Sequence, residues 1–268
     1  MYIFKYILKR IGLMLFVFFV IVTMCFFLIK LLPNTPMESF GKDMELIMKR
    51  REMLGYDLPL IQQYGRFLKY AVRGNFGVGE TYKLGSEVWD VFRNRLPYTI
   101  VLNLFTIVFS IPLGLALGIF AALKKNKWQD HLISTGVMIF VSVPSFIYAF
   151  LVQYVLFFKL GWFDAITTVT YGAWSWTFIR SAIPAILSMS FGTIAGFARY
   201  TRAELTEVLT SDFMLLARTK GLTKAQATVR HAMRNAMVPI FPMILGEFVS
   251  IMSGSLIIEN MFTIPGVG

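Results

Sequence analysis

YTIVLNLFTIVFSIPLGLALGIFAAL, residues Tyr98 to Leu123, runs for 26 positions without a charged side chain. A helix rises about 1.5 Å per residue, so roughly 20 mostly apolar residues cross the ~30 Å hydrocarbon core of a bilayer. Four other stretches have the same character: residues 11–32, 132–158, 181–198 and 238–258. Lipid offers no hydrogen bonds to an open backbone, so such stretches are read as helices. The fold class is therefore all-α and polytopic, with five transmembrane helices. The composition agrees. Of 268 residues, 56% are apolar and 15% charged, against about 45–50% and about 25% in soluble globular domains. A water-soluble domain and a disordered chain are both excluded. The net charge of +11 falls between apolar runs, which indicates membrane topology rather than nucleic-acid binding. A single cysteine, Cys25, rules out an intramolecular disulfide framework, and the distant His131 and His231 argue against a metal site.

Loop charge orients the spans, because short cytoplasmic loops are rich in Lys and Arg. Lys5, Lys9 and Arg10 precede the first span, and Lys124, Lys125 and Lys127 follow the second. Arg199, Arg202, Arg218, Lys220, Lys224, Arg230 and Arg234 follow the fourth. These stretches alternate correctly and are all assigned to the cytoplasm, with the N-terminus. The first apolar stretch is longer than a signal-peptide core and no small-x-small site follows, so it reads as an uncleaved anchor. Three regions result: residues 1–32, the N-terminus and first span; 33–97, an extracytoplasmic subdomain with a helix expected over Met44–Leu54; and 98–268, the core, with a cytoplasmic loop at 199–237. Trp162, Phe163, Tyr171, Trp174 and Trp176 suit an external interface belt or a short re-entrant element. Five spans from a cytoplasmic start leave Gly268 outside, and a sixth helix is expected beyond it.

Gly114, Gly118 and Ala122 recur every four residues, as do Gly192 and Gly196. Both sets read as close-packing faces, or alternatively as the lining of a substrate path. Glu247 is the acid deepest in a span and is either a functional group facing a cavity or a hydrogen-bonded structural one. Glu259 is expected at the external end, where a charge costs little. Asn103 and Gln153 either line a pore or join helices.

In the 199–237 loop, Ser211-Asp212 can start a helix and Gly221 can end one. The apolar positions Phe213, Leu216 and Ala217 call for a cover, either a partner groove or anionic lipid. No G-x-x-x-x-G-K-[ST] phosphate loop, H-E-x-x-H or G-x-S-x-G is present. No enzymatic constellation is visible, and any ATP-driven work needs a nucleotide site on another chain.

Several short motifs, in order, resemble those of bacterial ABC-importer permeases of the peptide/nickel subfamily. Ala217-Arg218-Thr219-Lys220-Gly221, then Arg230-His231-Ala232-Met233-Arg234-Asn235-Ala236 ending in Pro239, resembles the coupling loop. Leu54-Gly55-Tyr56-Asp57-Leu58-Pro59-Leu60, Gly74-Asn75-Phe76-Gly77, Arg95-Leu96-Pro97-Tyr98-Thr99 and Glu259-Asn260-Met261-Phe262 with Pro265-Gly266-Val267-Gly268 resemble further family elements. Leu215-Leu216-Ala217 stands where the general importer motif has E-A-A, and Asn75 where Asp is common.

The resemblance implies the B-type permease subunit of a dipeptide or oligopeptide importer in a bacterial cell membrane. Its implied partners are a second homologous permease, two ABC ATPase subunits and an extracytoplasmic peptide-binding protein, with no nucleic acid. It implies no cofactor in this chain, ATP and Mg residing in the ATPases. Ala217, Arg218, Lys220 and Gly221, with Phe213 and Leu216, are then the ATPase-coupling residues. Glu247, Asn103 and Gln153 are pathway candidates. The same architecture importing nickel or another small solute, and a gradient-driven transporter or channel, are the alternatives.

Overall fold

The computed structural model describes residues 2–31, 52, 55, 57–79, 83, 86–164 and 166–268. Apart from one isolated antiparallel bridge between Val78 and Glu87, the regular structure among them is helical. The expected Met44–Leu54 helix lies largely outside the described residues. The chain divides into two units, Met1–Val91 and Phe92–Gly268.

In the first unit α1 (Tyr2–Leu31) is 30 residues long, enough for about 45 Å. Most of its described side chains are exposed, as lipid-facing groups would be. The second helix, α2 (Leu60–Ala71), starts after Pro59, whose missing N–H is no loss at a helix start. The Gln63 amide donates to Leu58 O at 2.7 Å and secures that entry turn. One face of α2 meets α1: Tyr64 hydrogen-bonds Thr23, and Phe67 and Tyr64 pack on the rings of Phe26 and Phe27. Asn75 Oδ1 accepts the Gly77 N–H at 3.0 Å, an Asx-turn that Asn forms as well as Asp.

α3 (Val88–Leu123) opens the second unit as 36 unbroken residues despite Pro97 and Pro112. It lies against α7 (Ile183–Leu209), whose Pro184 sits in the first turn, where Pro is tolerated. Gly114 and Gly118 set the spacing. A Cβ on Gly114 would stand 2.7 Å from Phe197 Cβ and 2.9 Å from Ile194 O, and one on Gly118 2.6 Å from Thr201 Cβ. Only hydrogen fits, and the backbones approach accordingly. α7 also packs on α4 (Trp128–Ser142), α5 (Ser145–Gln153, continued by a π-helical turn Tyr154–Lys159) and α10 (Met233–Val249).

By length and composition α1, α3 and the continuous helix Ala225–Met252 can cross a membrane, and α4 with α5 can do so as a bent pair. α7 is not among them. Ser188, Ser190, Gly192, Thr193 and Gly196 dilute its apolarity; ten of its residues are buried by neighbouring helices, so it needs less grease than a lipid-facing span.

Three expectations are corrected. The third stretch, expected as one helix over 132–158, is two helices bent by 100°. Pro144 enforces the break by pushing Val143 into an extended conformation, φ −91° and ψ 128°. Pro144 also leaves the Phe140 carbonyl without its N–H donor, and the buried Tyr148 hydroxyl donates to it instead. The fourth helix runs to Leu209 rather than 198. The fifth begins at Ala225 rather than 238.

A further unforeseen feature of this unit is Glu259. Expected at the external end of a span, where a charge costs little, it is 1% exposed on the short α11 (Leu256–Met261). Its carboxylate accepts the Thr99 hydroxyl at 2.8 Å and the Gly268 N–H at 2.7 Å. Thr99 in turn accepts the Val267 N–H at 2.8 Å, and Arg95 donates to Gly266 O at 3.1 Å. A Cβ on Gly266 would meet Glu259 Oε2 at 2.2 Å, so the Pro265–Gly268 segment closes tightly over the buried acid. Buried carboxylates require such partners.

Candidate functional site

The segment after α7 is anchored on one side and open on the other. α8 (Asp212–Thr219) buries Met214 and Ala217 against Leu205, Ala122, Ala227, Ala232 and Ala236. Alanines dominate this cluster, so the helices sit close. Leu215 is 63% and Leu216 56% exposed. The expected apolar face of Phe213, Leu216 and Ala217 is therefore divided: Ala217 faces inward, and the outward pair is Leu216 with Leu215, which the sequence pattern did not single out. The side chains of Phe213 and Arg218 lie outside the described residues. Lys220 and Gly221 are exposed.

Gly221 ends α8 with φ +88°. The Leu222 N–H donates to Ala217 O at 3.3 Å, the long-range bond of a Schellman cap, whose left-handed position favours glycine. Ala217 and Leu222 share the same cluster, the apolar contact that accompanies this cap. At the start of α8 the Ser211 hydroxyl donates back to Val208 O at 2.6 Å, instead of accepting from the helix as expected of a cap. The next helix, α9 (Lys224–Ala227), carries a capping box missed in the sequence. Thr223 N–H donates to Gln226 Oε1 at 3.1 Å and Gln226 N–H to Thr223 Oγ1 at 3.3 Å. The T-x-x-Q spacing was the available signal. α9 continues through a π-helical turn, Thr228–Ala232, into α10, so α8 connects rigidly to the helices on both sides.

About two turns before the end of α7, Arg202 binds Asp130 of α4. Its Nε and Nη2 donate to the two carboxylate oxygens, the latter at 2.8 Å. Asp130 is fully buried and also accepts the Asn126 N–H at 2.9 Å and the Ser134 hydroxyl at 3.3 Å. The bidentate fork fixes orientation as well as charge, and it ties the 124–127 loop to the base of α7.

The pathway candidates do not converge. The Asn103 amide lies within bonding distance of Thr99 O, Ile251 O and Ser253 O, at 3.0–3.2 Å, where α10 unwinds. Gln153 donates to Met261 O at 2.6 Å, joining α5 to α11. Glu247 is half-buried on α10. Of the two glycine sets, Gly114 and Gly118 are close-packed, whereas Gly192 and Gly196 have no atom within 4 Å of where a Cβ would stand. The second set is thus not a packing face within this chain; it borders a cavity of about 300 Å³.

Comparison with known proteins agrees with this arrangement of long apolar helices. Residues 3–103 match the family described as binding-protein-dependent transport system membrane component, N-terminal. The dipeptide transport system permease protein DppB of Lactococcus lactis subsp. cremoris (strain MG1363) is 34% identical over 264 residues, 98% of this chain and 84% of that protein. The glutathione transport system permease protein GsiC of Escherichia coli (strain K12) is 31% identical over 267 residues, and the oligopeptide transport system permease protein OppB of Haemophilus influenzae 32% over 266, with the same coverages. With residues 114–268 matching the binding-protein-dependent transport system inner membrane component, the chain belongs to that family of ABC-importer permeases.

Proposed function

We propose that this chain is the permease subunit of an ATP-driven importer of short peptides, and that α8 with Gly221 docks an ATPase partner. The observation that carries the docking is the division of α8. Met214 and Ala217 clamp one face into the helix bundle, while Leu215, Leu216 and Lys220 are presented outward. An apolar pair beside a cation fits a groove on a partner protein. Peptide as the substrate rests on the relatives, whose dipeptide, oligopeptide and glutathione cargoes are all short peptides. Specificity at capture belongs to an extracytoplasmic binding protein, and half of the translocation path to a second permease chain. ATP and Mg²⁺ belong to the ATPases.

The mechanism follows from stiffness. A docked α8 moves with the ATPase, and its buried face, its cap and the following helix leave it no slack relative to α7 and α10. Closure of the ATPases then biases the helices between inward- and outward-facing arrangements, as a two-state element must. The N-terminus and α8 lie in the cytoplasm on this reading.

The test is Leu216→Asp in the complete importer. Peptide uptake should fall at least tenfold and the ATPases should no longer co-purify, with the protein still present in the membrane. Retention of the ATPases with full uptake would assign the exposed pair to lipid.

A further inference from the structure

The helix break at Pro144 and the open glycines of α7 face one another. Between them lies a cavity of about 300 Å³ that is open on one side, most of its lining residues being exposed in this chain; its volume is at the lower end of the range of small-molecule sites. Phe140, Val143 and Tyr148 form its wall at the break, and Gly192, Gly196 and Arg199 its wall on α7. Phe191 stacks on Phe140 and meets Tyr148 at a tilt of 59°, so the aromatic rim is pre-formed. The lining has the composition of a ligand site: apolar and aromatic walls with few polar groups.

Arg199 is the charged group in that lining. Among the described residues it has no acidic partner; its guanidinium lies over the Tyr200 ring, 5.5 Å from the centroid. Arg202, less than one turn further along the same helix, is instead neutralised by Asp130. The contrast is local: of two arginines nearly one turn apart, one is bound within the fold and the other is left beside a cavity. By its loop charge Arg199 stands in the cytoplasmic half of α7, exposed and beside this space, where a cation without a counter-charge can pair with an incoming anion. On the facing wall α5 begins at Ser145 with no side-chain cap, and its N-terminal N–H groups add positive potential to the same space.

We infer that this cavity is a subsite on the translocation path for the free carboxylate end of a peptide, with Arg199 as the carboxylate's partner and the rings of Phe140 and Tyr148 against the adjoining residue. The inference rests on the peptide reading above. It explains why Gly192 and Gly196 carry no side chain although none of the described residues presses on them: the room they leave is the site. A planar guanidinium pairs with a carboxylate through two parallel N–H···O bonds, whereas the amide of the same peptide offers only neutral acceptors.

The test is made with the complete importer in proteoliposomes of phosphatidylethanolamine and phosphatidylglycerol, with tri-alanine and its C-terminal amide as probes. The binding protein's own preference enters every permease variant alike and cancels in the ratio of acid to amide uptake. That ratio should fall about tenfold in Arg199→Gln, the scale of one charge-assisted hydrogen bond, and recover in part in Arg199→Lys. Gly196→Leu, for which space exists, should reduce uptake of both probes at least tenfold with the second permease still co-purifying. Uptake with an unchanged ratio in Arg199→Gln would overturn the carboxylate subsite alone. Loss of the second permease from the Gly196→Leu complex would assign the cavity to a subunit contact, and photocrosslinks from position 199 that reach only phospholipid would assign Arg199 to the bilayer. Failure of the wild-type importer to take up either probe would overturn the peptide reading and this one with it.

Discussion

Asp130 collects four donors around its buried carboxylate: both arms of the Arg202 fork, the Asn126 N–H and the Ser134 hydroxyl. Removing Arg202 strands that buried carboxylate, whereas removing Asp130 leaves an arginine side chain that is 33% exposed, so the first loss is the larger and removing both is milder than the sum. Asp130→Asn and Arg202→Gln should therefore each lower the unfolding midpoint of the detergent-purified protein by several degrees, and the double variant should lie closer to wild type than the sum. Strict additivity in that cycle would show that the two side chains are not coupled. Gly221 is a different residue-scale constraint, set by backbone alone. Nothing stands within 4 Å of its Cβ position, yet φ is +88°, so Gly221→Val meets strain without a clash, of about 1 kcal/mol. The expected outcome is weaker coupling: less peptide-stimulated ATP hydrolysis at unchanged membrane abundance. Normal stimulation would mean that the cap conformation is dispensable.

At the scale of elements, the break between α4 and α5 depends on one side chain from each half. Pro144 removes a donor from the Phe140 carbonyl and Tyr148 returns one from the next turn. Tyr148→Phe leaves that half-buried carbonyl unpaired, which costs about 1 kcal/mol. The unfolding midpoint should drop, and Pro144→Ala should offset part of the loss by restoring the helical N–H. If the double variant is less stable than Tyr148→Phe alone, the 100° bend is held by packing and not by this exchange of donors. The break was legible only in part. Pro144 marks a kink in any reading of the chain, but a kink of 20° and one of 100° have the same sequence signature. The difference lies in the packing of both halves of the bent pair on α7, which a sequence pattern does not show. The α8 cap, in contrast, was readable at Gly221 because left-handed backbone is almost a private property of glycine.

For the whole molecule, the exposed apolar surface sets the environment. Rows of exposed Phe, Leu, Ile and Val on α1, α3 and α10 have no cover among the described residues and are suited to lipid or other subunits. Topology is testable with single cysteines, since Cys25 is exposed and Cys25→Ser should be benign. With that background, Lys125→Cys and Lys220→Cys should react with an impermeant maleimide only from the cytoplasmic side, and Trp174→Cys only from the opposite side. Lys220→Cys labelled from outside would invert the protein and place α8 out of reach of any ATPase.

Transfer of a side chain into lipid depends on what the side chain is, and loop charge acts over the whole loop. Residue identity alone therefore determined that this chain is a helical membrane protein, roughly where its apolar stretches lie and which loops are basic. The ordered motifs added the family. Contacts between distant segments obey a different rule, because they depend on which surfaces the chain brings within a few ångströms. That is why Glu259 proved to be a buried acid, bonded to Thr99 some 160 positions away, and why Ala217 turned inward while Leu215 turned outward. Only the packed chain decided that Gly114 and Gly118 press against α7 while Gly192 and Gly196 border open space: a missing side chain is the same in sequence, whether a neighbour fills its place or nothing does.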